Sequence, residues 1–410
     1  MLSFEESLNR MLAAAQPVVE RRHLPLAAAL GRILAEDQYA QVNSPPDDNS
    51  AMDGYALRVS DLAAGEGLPV RMRIAAGQVA VKLPAGEAVR IFTGAPLPNG
   101  ADAVVMQEHC QVLEEANDGK RILVLGEVNA GQNIRRTGAD IKVGECILSA
   151  GTPLRAQELG LAASAGLAHL PVFRRLRVAV FFTGDELIEP GQQLPAGAIY
   201  NSNRSMLNAL LQGMDCEVLD MGNIPDQLMA TRAALREAAI GNDLIITSGG
   251  VSVGGEDHVR PAVEAEGEIA LWKIAIKPGK PLAVGSVRRE QAKGNAKFVG
   301  LPGNPVSAYA TFAVLVRPII RKMQGGLVDA AACATPTLRL PVSCSLPAGE
   351  RSELLRVRLN ANGKLEPYVT QDSSVLTSLV WADGLALKPA RQSVSAGQLL
   401  GYWPFEMLLS

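Results

Sequence analysis

Cysteine and histidine are scarce in this chain, with five and four respectively among 410 residues. Cys110, Cys146, Cys216, Cys333 and Cys344 are odd in number, far apart and free of any Cys-x-x-Cys pair, so neither a disulfide framework nor a zinc site is signalled. The histidines are equally scattered. Glu5, Glu6 and Arg10 stand where a secretory leader would need unbroken apolar residues. A cytoplasmic protein that does not enter the membrane is expected. The net charge of −3 supplies no general attraction to nucleic acid or to an anionic membrane, so a bound anion must be held by a local cluster of bases. Also missing is a Gly-x-x-x-x-Gly-Lys-Ser/Thr phosphate loop, which argues against a generic Mg²⁺-dependent nucleotide hydrolase or adenylylating enzyme.

What is present is ordinary in bulk: 48% apolar and 20% charged residues, typical of a soluble globular chain. Its length exceeds what one hydrophobic core usually supports, so several domains are expected. The segment Thr247-Ser-Gly-Gly-Val-Ser-Val-Gly-Gly-Glu-Asp257 follows the apolar run Asp243-Leu-Ile-Ile246, placing a glycine-rich turn where a buried strand should end. Exposed backbone N–H groups approach anionic oxygens closely at such turns, and ligands collect at the carboxyl ends of strands in open α/β sheets. Taken alone, the segment is also compatible with a plain surface turn.

The pattern repeats. Arg177-Val-Ala-Val-Phe-Phe182 runs into Thr183-Gly-Asp-Glu-Leu187, and Glu217-Val-Leu-Asp-Met-Gly222 runs into Asn223-Ile-Pro-Asp226. Between the strands, Ser202 to Met214 and Gln227 to Ile240 carry apolar residues at helical spacing, with Leu207 and Leu211 in the first and Leu228 and Leu235 in the second. Alternating strands and helices predict a parallel sheet covered on both faces, with right-handed crossovers bringing the acidic turns to one rim. Asp185, Glu186, Asp226 and Asp257 are therefore candidate ligands for a hard divalent cation.

A second polar element is Trp272-Lys-Ile-Ala-Ile-Lys-Pro-Gly-Lys-Pro281. In an extended chain Lys273 and Lys277 point to one side, and Lys280 follows in the turn; three converging ammonium groups would suit an oxyanion or phosphate. A solvated edge strand protected by lysines is the alternative. Phe298-Val-Gly-Leu-Pro-Gly-Asn-Pro-Val-Ser307 then reads as a strand, a locked turn and the start of a buried helix running from Val306 to about Met323, with Asn304 or Ser307 able to cap it.

Together these segments resemble the molybdenum-insertion domain of the molybdopterin molybdenumtransferase family, which includes the bacterial MoeA enzymes and the E domain of gephyrin. The resemblance extends over essentially the whole chain. It continues through Asp48-Asn-Ser-Ala-Met-Asp-Gly-Tyr-Ala56, Thr93-Gly-Ala-Pro96, Val104-Val-Met-Gln-Glu108, Gly131-Gln-Asn-Ile-Arg-Arg-Thr-Gly-Ala-Asp-Ile141 and Asp372-Ser-Ser-Val-Leu-Thr-Ser-Leu379. It implies insertion of molybdate into adenylylated molybdopterin with release of AMP, assisted by Mg²⁺ and needing no protein nucleophile. Carried over by position, Glu186, Asp226, Asp257, Lys273 and Lys277 are active-site residues, and Asp53, Thr93, Asp140 and Ser373 are contributed from other domains. Thr183, Ser248, Gly249, Gly250, Ser252, Lys280, Pro302, Asn304 and Ser373 are the candidate cofactor-binding residues. The resemblance also implies a homodimer in which Asp53 and Thr93 act across the subunit boundary. The adenylylated pterin would arrive from a separate molybdopterin adenylyltransferase through transient contact, and the product would pass to proteins that mature molybdoenzymes.

Two departures are visible: Gln227 stands where many relatives keep a second acid, and Ser374 and Val375 depart from the usual C-terminal motif. A non-catalytic scaffold of the same family is the rival reading; it would tolerate loss of the acidic turns, which this chain keeps. The expected architecture is multidomain α/β plus β, with a central parallel α/β sheet domain of molybdopterin-binding type over 171–326. An elongated discontinuous domain is expected over 1–40 and 138–170, with an amphipathic helix around Leu8, Met11 and Leu12 and a second helix near Leu26 to Leu34. A small β-rich domain over 41–137 and a β-barrel-like C-terminal domain over 330–410 complete it.

Overall fold

In the computed structural model the described residues are 2–18, 20–62, 67–115, 119–250, 258–279, 281–289 and 294–409. Helix α1, Phe4–Ala14, begins at Ser3, whose hydroxyl accepts the Glu6 N–H at 3.1 Å. Its buried Leu8, Met11 and Leu12 recur at helical spacing and enter the main core beside Ile319, Ile320 and Met323. The second helix expected near Leu26 to Leu34 does not form. Residues Arg21–Pro25 are a strand and Leu26–Ala28 a single 3₁₀ turn, because Pro25 is extended and Gly31, at φ +77°, breaks any continuation. That strand pairs antiparallel with His169–Phe173, while Leu34, Leu148, Leu154 and Val172 share one core. Residues between them in sequence build a six-stranded sheet in the order Ala103–Met106, Gly54–Leu57, Ala88–Ile91, Leu68–Ile74, Gly119–Val124, Cys110–Glu115.

The central unit runs β1 (Arg177–Thr183), α2 (Ser202–Gly213), β2 (Glu217–Ile224), α3 (Leu228–Ala239), β3 (Leu244–Ser248), α4 (Val259–Glu266), β4 (Gly267–Lys273), β5 (Ile276–Lys277), β6 (Pro281–Arg288) and β7 (Asn295–Leu301). Six of these strands form one sheet in the order β2-β1-β3-β7-β6-β4. Both faces of β1 and β3 are buried. Val178, Val180 and Phe182 face the core that holds α2 residues Leu207 and Leu211, whereas Ala179 and Phe181 face Leu235 of α3 and Val263 of α4. Such two-sided burial is why these strands read as unbroken apolar runs. The expected parallel sheet is in fact mixed: β2, β1, β3 and β7 run parallel, but β6 and β4 run antiparallel at the far edge. The connections there are too short for the helical crossover that parallel pairing requires.

After β7 the chain enters α5 (Pro305–Thr311), a π-helical segment over Phe312–Val316, and α6 (Arg317–Met323), the largely buried helix expected from a sequence apolar nearly all round. The C-terminal part adds β8 (Leu338–Pro341), β9 (Ser352–Leu359), β10 (Leu365–Pro367), β11 (Gly384–Lys388) and β12 (Leu399–Pro404). Its sheet runs β5-β9-β11-β12-β8, with β10 on β9, so the central unit donates its edge strand β5. No helix among the described residues is long and apolar enough to cross a membrane.

Phe312 is fully buried in the π-helical segment, where helix and sheet meet. Phe312→Ala should cost about 3–5 kcal/mol, seen as an earlier urea unfolding transition by tryptophan fluorescence or circular dichroism.

Candidate active site

An open cavity of about 940 Å³ lies at the carboxyl rim of the four parallel strands. The turn after β1 supplies Thr183, Gly184 and Glu186, and the turn after β2 supplies Asp226. Ser248, Gly249 and Gly250 follow β3, and Pro302, Gly303 and Asn304 follow β7. The opposite side is built by Lys277 on β5, with Arg351 and Thr370, Gln371, Asp372 and Ser373 from the C-terminal part.

Backbone proximity shapes the rim. Gly249 adopts φ +94°, and a Cβ placed on it would lie 2.7 Å from the Thr183 carbonyl oxygen, so only glycine lets the ends of β1 and β3 approach this closely. The buried Ser248 hydroxyl donates to the Pro302 carbonyl at 3.0 Å and accepts from Asn203 Nδ2 at 2.9 Å. Asn203 Nδ2 also donates to the Gly303 carbonyl at 2.7 Å, so one carboxamide at the start of α2 ties the loops after β3 and β7 together. Among the described residues Thr183 Oγ1, Asn203 Oδ1 and Asp226 Oδ1 are buried without a hydrogen-bond partner, an arrangement that proteins largely avoid outside functional sites.

The C-terminal wall is braced from behind. Arg356 is fully buried, and its guanidinium donates to Ser378 Oγ at 3.0 Å and to the carbonyls of Asp372 and Thr370 at 2.8 and 3.3 Å. Burial pushes its pKa down to about 10, against the opposing pull of Asp372. Asp372 accepts the Ser374 N–H and hydroxyl, which hold its carboxyl below the ordinary range. At the start of α5, Asn304 Nδ2 donates to Ser373 Oγ at 2.9 Å, and the Val306 N–H donates to the Ser373 carbonyl at 3.1 Å. The expected side-chain cap is therefore absent: Asn304 turns to Ser373, and Pro305 at the first helical position lacks the N–H that would need capping.

Ten of the residues anticipated from sequence line this cavity: Thr183, Glu186, Asp226, Ser248, Gly249, Gly250, Lys277, Pro302, Asn304 and Ser373. Asp185 stands just behind, its Oδ1 accepting the Asp226 N–H at 3.1 Å. Lys273 does not join Lys277. The chain leaves the central sheet after β4, where the Leu2 N–H donates to the Lys273 carbonyl and the Ala275 N–H to the Leu2 carbonyl. The alternation expected across residues 273–277 is thereby broken, and the two lysines belong to different sheets. Ser252, Asp257 and Lys280 lie outside the described residues.

Asp53, Thr93 and Asp140 also lie outside the cavity lining. Asp53 Oδ1 accepts both the N–H and the hydroxyl of Thr93 at 2.8 Å, on an exposed surface of the small β sheet. These two bonds, chiefly the backbone one, hold the Asp53 carboxyl below its usual pKa. Asp140 is exposed, its N–H donating to the Ser44 carbonyl at 2.9 Å. The sequence reading missed Asn203, Arg351 and the brace Arg356. No spacing pattern marks any of the three, whose partners are distant in sequence.

Residues 2–166 match the MoeA N-terminal region (domains I and II), 179–322 a probable molybdopterin binding domain, and 339–405 the MoeA C-terminal region (domain IV). The molybdopterin molybdenumtransferase of Haemophilus influenzae is 39% identical, with both chains covered completely. The chain belongs to the MoeA family. Another member, the molybdopterin molybdenumtransferase of Bacillus subtilis, is 36% identical over 90% of this chain and 86% of its own. A solved structure of the molybdopterin biosynthesis MoeA protein from Pyrococcus horikoshii superimposes with a TM-score of 0.81 at 28% identity, covering 98% of each chain. The resemblance drawn from the motifs is thus borne out, as is the multidomain α/β plus β architecture. Its MoeA relatives place the family in molybdenum cofactor biosynthesis.

Because the Asp53 pKa is depressed in the folded protein, the associated stabilisation is present above the unfolded pKa and is lost as pH falls through the folded value. Thr93→Val removes one of the two donors. In a carboxyl NMR titration, the Asp53 midpoint should move upward yet stay below that of an unperturbed aspartate; an unmoved midpoint would show that the hydroxyl contributes nothing.

Proposed function

We propose that this chain is an active molybdopterin molybdenumtransferase that takes molybdate and adenylylated molybdopterin, cleaves the phosphoanhydride with release of AMP, and leaves the metal on the pterin dithiolene. The observation that carries this reading is one rim on which carboxylates, glycine-exposed backbone donors and a cationic side share a cavity, in a chain matched by its relatives from end to end. A scaffold would not need Glu186 and Asp226 gathered at that rim.

Among the described residues no three or more metal-binding side chains form a closed site. Mg²⁺ is commonly held by one or two carboxylates with substrate phosphates and water completing the shell. Glu186 and Asp226 are the residues that would hold it, and Asp226 Oδ1, unpartnered among the described residues, fits such a role. When bound, the ion supplies charge neutralisation at phosphoanhydride oxygens. The chain's own groups do the positioning. Lys277 and Arg351 offer cations to molybdate and phosphate oxygens, Gly249 and Gly250 offer close backbone approach, and the Ser373 wall closes the far side.

The reading extends to a homodimer in which the exposed Asp53, Thr93 and Asp140 of one subunit complete the cavity of the other. The prearranged Asp53–Thr93 pair, standing away from its own chain's cavity, supports this. A cytoplasmic location, with transient delivery of the adenylylated pterin by a molybdopterin adenylyltransferase and transfer onward to molybdoenzyme-maturation proteins, follows from the same reading.

Purified protein given adenylylated molybdopterin, molybdate and Mg²⁺ should release AMP, with Asp226→Ala slower by about 100-fold. Wild-type protein releasing no more AMP than the variant would reject the activity. For the shared site, Asp53→Asn and Asp226→Ala chains refolded together at equal ratio should regain about a quarter of wild-type activity, since half the dimers carry one intact site. A mixture as inactive as its components would reject the cross-subunit arrangement.

A further inference from the structure

Three side chains stand in a row across three adjoining strands of the C-terminal sheet. Lys277 on β5 is the register partner of Glu353 on β9, and Glu353 is the register partner of Lys388 on β11. Exposure falls steeply along the row: the side chains are 49%, 15% and 2% exposed. Lys388 Nζ donates to Glu353 Oε1 at 3.0 Å, while Lys277 Nζ lies 4.0 Å from Glu353 Oε2. The carboxylate thus sits between two ammonium groups, bonded to the buried one and only approached by the one in the cavity. Room for the buried pair is made by Gly349, where an added Cβ would come within 2.4 Å of Glu353 Oε1 and 3.4 Å of Lys388 Nζ.

A largely buried carboxylate favours a counter-ion, and removal of one partner from such a pair leaves the other to seek a replacement. Lys277 is the ammonium next in reach, half-exposed and on a flexible stem. We propose that Lys388 is a positioning residue: by satisfying Glu353 from the buried side, it keeps that carboxylate from capturing Lys277 and leaves the Lys277 ammonium free for an oxyanion in the cavity. The inference rests on the reading of Lys277 as an anion-binding group.

The test is calorimetric titration of the full chain with sodium molybdate. Lys388→Met should bind molybdate roughly tenfold more weakly, since Lys277 is then drawn onto Glu353. Glu353→Gln combined with Lys388→Met should restore binding to near the wild-type level, a recovery that loss of packing alone would not give. Lys388→Arg should retain it. Unchanged binding by Lys388→Met, or a double variant as weak as the single one, overturns the inference; weak binding by Lys277→Met in the same series leaves the cavity reading intact. Wild-type binding by Lys277→Met overturns that reading and the inference with it. If Lys388→Met does not fold, Glu353→Gln alone decides: binding equal to or tighter than wild type supports the inference, and weaker binding overturns it.

Discussion

Close backbone contact between the ends of β1 and β3 is the constraint on which the cavity depends. The Thr183 carbonyl and the Gly249 Cα meet at a distance that excludes any side chain, and this brings the turns after four parallel strands onto one rim. Ser248 and Asn203 convert that proximity into a hydrogen-bonded floor by reaching the Pro302 and Gly303 carbonyls. With the floor set, Glu186 and Asp226 fall on one side and the start of α5 on another. Glu186 leaves β1, whose two faces are buried, so its place is set by core packing, whereas Asp226 leaves the more exposed edge strand β2.

The cationic side is assembled differently. Lys277 and Arg351 stand at the seam between the central unit and the C-terminal sheet, where the Arg351 guanidinium donates to the Ile276 carbonyl. Behind them Arg356 and Lys388, both almost wholly buried, hold the carbonyls and the carboxylate that shape this wall. Buried cations of this kind are costly unless each donor is met, and among the described residues Arg356 retains one nitrogen without a partner. The price of that arrangement is justified if the wall must present positive charge to an oxyanion while keeping its own backbone rigid.

Much of this was legible in the sequence where the physical signal is local. Val178 to Phe182 and Leu244 to Ile246 are uninterrupted apolar runs because both sheet faces are covered, and α5 through α6 is mostly apolar because most of its residues are buried. The rim turns were legible because glycine, proline and acidic residues directly follow those runs. The misreadings arose where tertiary context overrode local pattern. Extended alternation from Lys273 to Lys277 assumed one strand, but Leu2 pairs with the chain midway and splits it between two sheets. The apolar residues from Leu26 to Leu34 suggested a helix, yet Gly31 and pairing with His169–Phe173 decided otherwise. Asn203, Arg351 and Arg356 matter through partners more than 10 residues distant, which no spacing rule could reveal.

Strand β5 gives the molecule a property that its division into sequence regions conceals. Because Ile276–Lys277 is an outer strand of the C-terminal sheet, that sheet closes only with a piece of chain borrowed from the preceding unit. Severing the chain near residue 330 would leave a strand with no partner on one fragment and an uncovered β9 on the other, each a template for unwanted pairing. The MoeA C-terminal region is thus a separate stretch of sequence but not a detachable module, and its exchange between relatives would have to carry β5 along with it.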